Sequence, residues 1–291
     1  METSELLKKV RQIEIKTRGL SSQIFSGEYH SAFKGRGMAF SEVREYMPGD
    51  DIRSIDWNVT ARFNHPFIKV FEEERELTVM LLVDVSGSES FGTRVQFKRE
   101  VITELCALLA FSAIQNNDKT GVIFFSDHVE KFIPPKKGKS HILRIIRELI
   151  EFQPKSQGTN LNEALKHFRN AIKKRSTAFI ISDFMSEGFE DSLKICNKKH
   201  DIVALRIYDK LEEEIPDAGL IHFRDAETGG QIWVDSSSRA VRENYRLWWI
   251  RHNRTLTELF RRCGVDTTNI TTSESYVQPL MKLFKMRGGR R

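Results

Sequence analysis

Leu77-Thr78-Val79-Met80-Leu81-Leu82-Val83-Asp84-Val85-Ser86-Gly87-Ser88 is the stretch that decides the fold. Leu77 to Val85 reads as a continuous apolar run with no polar alternation, the pattern of a parallel strand buried on both faces. It breaks into an acid and two hydroxyls. Downstream, helix-like and strand-like segments alternate: a helix over 94–116, a strand over 121–126, helices over 139–152 and 160–174, a strand over 178–182, a helix over 189–199 and a strand over 202–208. This alternation predicts an α/β fold, a doubly wound and mostly parallel sheet with helices on both faces. In such folds ligands sit beyond the carboxyl ends of the strands, and that rule decides which loops carry the functional weight.

The flanks read differently. Residues 4–19 predict an amphipathic helix through Leu6, Leu7, Val10, Ile13 and Ile15, with Gly19 as its stop. Residues 21–76 are rich in glycine and proline and carry short runs such as Phe67–Ile68–Lys69–Val70–Phe71, so a small β-rich module is expected there. After Asp209 the alternation stops. A hairpin is expected around Glu227–Thr228–Gly229–Gly230, then an arginine-rich helix over 239–262 and a short helix over 276–285. The expected order is a helix over 1–20, the β-rich module, a sheet domain over 77–211, and a hairpin with helices over 212–291 packing on it.

Composition narrows the class. Of 291 residues, 40% are apolar and 30% charged, enough for a globular core and too little for a membrane bundle. The 46 Lys and Arg against 40 Asp and Glu give a net charge of +6, interleaved along the chain apart from a short basic tail over 285–291. That balance names no partner. Cys106, Cys196 and Cys263 lie far apart with no CxxC pair, which suits buried reduced thiols rather than disulfides or zinc. The charged start METSELLKKVRQIEIKTRGL has no signal-peptide core, and no apolar run approaches the roughly 18 to 20 residues of a membrane span. A cytoplasmic protein is expected, with peripheral attachment at the inner membrane as the variant of that expectation.

Asp84, Ser86 and Ser88 stand at alternate positions after the first buried strand and can converge on one point. Thr159, in Gln157-Gly158-Thr159-Asn160, and Asp183, directly after Phe179-Ile180-Ile181-Ser182, are placed to join them. Carboxylates with neutral hydroxyls are hard oxygen donors, suited to magnesium or manganese, with calcium a third candidate. The arrangement resembles the von Willebrand factor A fold and its metal-ion-dependent adhesion site. That resemblance implies that Ser86 and Ser88 bind the cation directly, with Asp84, Thr159 and Asp183 acting directly or through water. A partner's Asp or Glu would then complete the shell. Hydrolysis would need a general base; the metal loops hold no His, and Asp127 and His128 read as solvated loop residues.

A second signature is Arg44-Glu45-Tyr46-Met47-Pro48-Gly49-Asp50-Asp51-Ile52-Arg53-Ser54-Ile55-Asp56-Trp57, followed by Ala61-Arg62. Pro48–Gly49 forces a turn. Asp50, Asp51, Arg53, Asp56 and Arg62 are expected to form a structural ion-pair network, with Trp57 as its apolar anchor. Together with Gly35-Arg36-Gly37-Met38-Ala39-Phe40 and Phe71-Glu72-Glu73-Glu74-Arg75, the stretch resembles the DUF58 family of bacterial proteins. Many members carry transmembrane helices near the N-terminus, which are not expected in this sequence, and many carry an acid where Met38 and Ala39 stand. The resemblance implies a von Willebrand-like module, commonly encoded beside a MoxR-type AAA+ ATPase, with no established catalytic activity.

The function expected from these readings is a non-enzymatic, divalent-metal-dependent adaptor or co-chaperone of a MoxR-type ATPase. Its client proteins would be bound through an Asp or Glu side chain, and envelope-associated von Willebrand-like proteins are further candidate partners. The rivals are a metal-dependent hydrolase and a nucleic-acid binder using Arg239, Arg242, Arg246, Arg251, Arg254, Arg261 and Arg262. Glu243 and Glu258 interrupt that arginine face, and several of its cations are expected to pair with Glu212–Glu214, so no nucleic-acid partner is expected. Lys137-Gly138-Lys139-Ser140 imitates a phosphate loop, but Ile133 stands where the pattern needs glycine.

Overall fold

The computed structural model describes residues 3–24, 39–72, 77–87, 97–225 and 229–289. They fall into two units, one of residues 34–77 and one of residues 1–33 with 78–291. The helix α1 (Thr3–Ile24) opens the larger unit. It runs straight through Gly19, so that glycine is not a stop; an exposed helix-interior glycine costs only about 1 kcal/mol and does not end a helix by itself. The smaller unit is an antiparallel ribbon of β1 (Ala39–Glu45) and β2 (Phe67–Glu72), bridged by a 3-10 turn at Ile52–Ser54 and the short helix α2 (Trp57–Phe63).

The larger unit is built on β3 (Thr78–Asp84), β4 (Lys119–Phe125), β5 (Val129–Lys136), β6 (Thr177–Ser182), β7 (Asp201–Tyr208) and β10 (Asp266–Thr271). They form a 6-stranded sheet in the order β10-β7-β6-β3-β4-β5, parallel except for β5. The predicted doubly wound, mostly parallel α/β sheet is therefore the fold. A separate two-stranded ribbon, β8 (Leu220–Arg224) with β9 (Gln231–Asp235), is the expected hairpin.

Two strands were not expected. β5 contains Phe132-Ile133-Pro134-Pro135, which looks like a loop, yet it is an edge strand whose pairing with β4 is irregular beside the two prolines, so their missing N–H groups do little harm. β10 reads Asp-Thr-Thr-Asn-Ile-Thr and only Ile270 is buried in it, because it lines the opposite edge. The chain thus returns to the sheet after Asp209, and the alternation resumes rather than stops.

Helices cover both faces. α5 (Leu161–Ala171), α6 (Glu190–Lys199) and α7 (Arg239–Cys263) pack on the face of Met80, Leu82, Ile123, Phe125, Ile180 and Ala204. On the other side, α1, α3 (Lys98–Gln115) and α4 (Lys139–Glu151) share a cluster of Val10, Ala107, Phe111, Ile142 and Ile146. There Phe179 also meets Phe284 of α8 (Val277–Gly289) edge-on at 6.5 Å. With strands buried on both faces, tolerance to added volume is low. A Cβ on Gly121 would lie 2.8 Å from Met80 Sδ and 2.9 Å from both Ile133 O and Pro135 N. Two of those atoms are backbone of the edge strand and cannot rotate away. Gly121→Ala is expected to destabilise the chain by about 1–3 kcal/mol, read as a lower urea midpoint at unchanged slope.

Candidate metal site

β3 and β6 lie side by side, with Val83 opposite Ile181, so Asp84 and the Ser182–Asp183 pair emerge together at the same end of the sheet. Asp84 is 1% exposed and its two oxygens are fixed separately. Oδ1 accepts the Ser86 N–H at 3.0 Å, closing the turn after the strand, and Oδ2 accepts the Ser182 hydroxyl at 2.6 Å. The Ser182 Oγ in turn accepts the Phe184 N–H at 3.0 Å, and Asp183 Oδ1 accepts the Met185 N–H at 3.2 Å. The loop carrying Thr159 is tied to the same place: Gly87 N–H donates to Gln157 O at 2.8 Å, and Asn160 N–H to Ser126 O at 2.7 Å. Thr159 itself is half-buried. Ser88 lies outside the described residues, as do the Gly35–Gly37 and Glu73–Arg75 portions of the second signature.

Backbone geometry aims the second acid. Phe184 has φ +58°, the left-handed region that bulky residues avoid. Its ring, 1% exposed, is clamped by Phe260 at 5.0 Å and Phe189 at 6.2 Å. Packing thus offsets a local strain of about 1–3 kcal/mol directly after Asp183, and such strain clusters at functional sites.

Electrostatics set these acids apart. Burial, followed by the charge of Asp183, pushes the Asp84 carboxyl up to about 7 from its ordinary 3.8. Facing them is a residue the sequence reading passed over. Lys98, the first residue of α3, is fully buried, and its Nζ lies 3.3 Å from Asp183 Oδ2 and 2.5 Å from Glu212 Oε1. A cation at a helix N-terminus opposes the helix dipole, so its place there is set by the carboxylates. Glu212 is held as firmly: its Oε2 accepts the Asp209 N–H at 3.1 Å and its carbonyl accepts the Tyr245 hydroxyl at 2.9 Å. Burial raises the Glu212 carboxyl above its ordinary value against the opposing pull of Lys98. Arg206, 2% exposed, closes the cluster with Nε on the Asp183 carbonyl at 3.2 Å and its guanidinium carbon 5.0 Å from the Trp249 ring.

These groups fit magnesium, manganese or calcium by donor chemistry, since every candidate ligand is a hard oxygen. Among the described residues no cluster of three or more His, Cys, Asp or Glu could hold a metal, so hydroxyls would have to complete the shell. The raised Asp84 carboxyl reflects its burial first and the neighbouring Asp183 charge second, and a divalent cation would relieve both.

The second signature combines caps with ion pairs to Arg44 and Lys69 (Asp56 Oδ2 lies 3.5 Å from Lys69 Nζ), not to the expected Arg53 and Arg62. Asp50 grips Arg44 through both oxygens, at 2.7 and 2.9 Å, and accepts the Met47 N–H, so its carboxyl sits below the usual range. Asp51 accepts the Arg53 N–H at 3.0 Å, and Asp56 accepts the Asn58 N–H at 3.0 Å at the start of α2. A short acid reaches the backbone two residues on more readily than it reaches a distant arginine, which is why caps form here. Arg53 and Arg62 are exposed, and so is Trp57 at 67%, which corrects its reading as an apolar anchor. The helix arginines are also paired differently from expectation. Arg246 bonds Glu243, Arg254 bonds Glu258, Arg262 bonds Glu190 and Arg242 bonds Asp217, while Lys98 takes Glu212. Lys139 of the imitation phosphate loop pairs with Glu14 at 2.5 Å. Cys106, Cys196 and Cys263 are buried free thiols.

Arg206 was detectable in the sequence as an arginine within an apolar strand. Lys98 had no such signal, standing between Phe97 and Arg99, and Glu212 stood out only as part of the acidic run Glu212–Glu214 expected to pair with the helix arginines.

The sequence model of the family described as "Protein of unknown function DUF58" matches residues 42–255. The uncharacterized protein Rv1480 of Mycobacterium tuberculosis is 26% identical over 290 residues, covering 99% of this chain and 91% of that protein. The uncharacterized protein YeaD of Bacillus subtilis is 28% identical over 109 residues, 38% of this chain and 25% of that protein. Among solved structures, BatB of Bacteroides thetaiotaomicron superposes at a TM-score of 0.49 with 18% identity, over 73% of this chain and 99% of that one. The VWA domain of SpRpn10 superposes at 0.41 with 11% identity, over 72% and 95%.

Proposed function

The chain belongs to the DUF58 family, and we propose that it is a non-enzymatic protein-interaction module working through a divalent cation held by Asp84, Ser86, Ser88, Thr159 and Asp183. The observation that carries this reading is the buried Asp84–Asp183 pair at adjacent parallel strand ends, with the Asp84 carboxyl raised to about 7. When bound, a magnesium or manganese ion supplies an open coordination position for a client's Asp or Glu. This chain's own part is to hold the acids still, through the Ser86 and Met185 N–H groups and the Ser182 hydroxyl.

Contact area for a partner is at hand. Leu220, Ile232 and Trp233 on the β8–β9 ribbon are 65%, 62% and 63% exposed, and Trp248 on α7 is 45% exposed. The adaptor role beside a MoxR-type ATPase rests on the family resemblance, as does a place in protein assembly or maturation. Among the described residues no helix is long and apolar enough to cross a membrane; a cytoplasmic placement belongs to this reading. Hydrolysis is less well supported, because the described contacts of Asp84 and Asp183 are hydroxyl, amide, ammonium and guanidinium groups. None of these is a base at neutral pH, and Asp84, whose carboxyl is raised to about 7, is itself assigned to the ion.

The test is capture from a lysate of the source organism in magnesium, comparing wild type, Asp84→Ala and an EDTA wash by mass spectrometry. An AAA+ ATPase or client retained by wild type alone is the expected result. Equal retention in all three would make the cation dispensable and sink the reading.

A further inference from the structure

We infer that the Lys98 ammonium is a built-in cation of this site, competing with the divalent ion for Asp183 and stepping aside onto Glu212. The inference rests on the reading of Asp84, Ser86, Thr159 and Asp183 as a divalent-ion donor set.

Three observations lead to it. First, Lys98 is fully buried, and lysine is almost never so without a charge partner. Two of its partners are carboxylates of different standing: Asp183 belongs to the candidate donor set, and Glu212 lies outside it. Second, the two contacts are unequal. Nζ is 3.3 Å from Asp183 Oδ2 but 2.5 Å from Glu212 Oε1, so the ammonium can give up the first while keeping the second. Lysine's flexible four-carbon stem and point-like charge suit such a short transfer, where a planar guanidinium would not. Third, Glu212 is a rigid receiver, its other oxygen fixed by the Asp209 N–H and its carbonyl by the Tyr245 hydroxyl. Asp209 in turn accepts the hydroxyl of Thr272, the residue directly after β10, at 2.5 Å, so the turn carrying the receiver is braced between the ends of β7 and β10.

The consequence follows from Coulomb repulsion. A positive charge within bonding distance of one donor weakens any other cation shared by that donor, and it does so strongly in a desolvated setting. Lys98 therefore lowers the site's affinity for divalent ions and spares Asp183 an uncompensated burial when none is bound. Glu212 reduces that penalty by offering the ammonium a second partner.

The experiment is a manganese titration of the full chain followed by electron paramagnetic resonance of free Mn2+, comparing wild type with Lys98→Met. Lys98→Met is expected to bind Mn2+ about tenfold tighter or better. Equal or weaker binding by the variant overturns the inference while leaving the ion reading in place. Absence of millimolar binding in both proteins overturns the ion reading and the inference with it. Should Lys98→Met fail to fold, Glu212→Gln, which keeps an acceptor for the Asp209 N–H, carries the test. Several-fold weaker Mn2+ binding than wild type supports the competition, and unchanged or tighter binding refutes it.

Discussion

In EDTA at pH 8, Asp84→Asn is expected to be more stable than the wild-type chain by about 2–3 kcal/mol, although it removes a group from the heart of the site. The sign comes from the carboxyl's position. Folding raises its proton affinity to about 7 from the ordinary 3.8. Below pH 4 the group is protonated in both the folded and unfolded chains and makes no difference between them. From pH 4 to 7 the folded chain keeps a proton that the unfolded chain has released, so stability falls as pH rises. Above 7 the full deficit remains. Asparagine has no such deficit; it keeps an acceptor for the Ser86 N–H and loses the bond from the Ser182 hydroxyl, worth about 1 kcal/mol. Urea denaturation of both proteins from pH 4 to 8 measures the difference, which should grow toward pH 7 and then level off. A difference that stays flat across that range would refute the account. The same variant should lose any magnesium-dependent rise in Tm, because a stabilising gain in the absence of metal and a loss of metal response have one cause.

That coupling also explains how much could be read from the sequence. The run from Thr78 to Asp84 announced a strand buried on both faces because nothing in it needs water, and the acid at its end then stood out. Asp183 was legible for the same reason, following Phe179–Ser182. Edge strands lack this contrast. Asp266–Thr271 is polar because one side of it faces solvent, and Val129–Lys136 tolerates two prolines because it is an edge strand whose pairing with β4 is irregular between Thr120 and Val122, where they stand. The counter-charges were illegible for a different reason. Lys98 and Glu212 meet only because α3 and the turn after β7 close over the same strand ends, and nothing in their immediate neighbours distinguishes them from solvated charges. The acids at 50, 51 and 56 were legible as structural but not in their mode, since an acid's choice between a cap and an arginine depends on backbone direction.

The remaining large effect concerns Phe184, where the ordinary order of two substitutions should invert. Truncating this ring, 1% exposed between Phe189 and Phe260, is expected to cost about 3–5 kcal/mol in Phe184→Ala. In most helices and strands glycine would be worse than alanine by about 0.5–1 kcal/mol, through the entropy it gains on unfolding. At φ +58° alanine retains the clash of its Cβ with the backbone, whereas glycine does not. Phe184→Gly is therefore expected to be more stable than Phe184→Ala by about 1 kcal/mol, with both well below wild type. Parallel urea curves decide this, and alanine above glycine would mean that the left-handed turn is not what the ring enforces. The comparison also separates packing from aim. If the ring's clamp is what points Asp183 toward Asp84, the glycine variant recovers stability without recovering metal affinity, because relaxing the turn frees the acid it was holding.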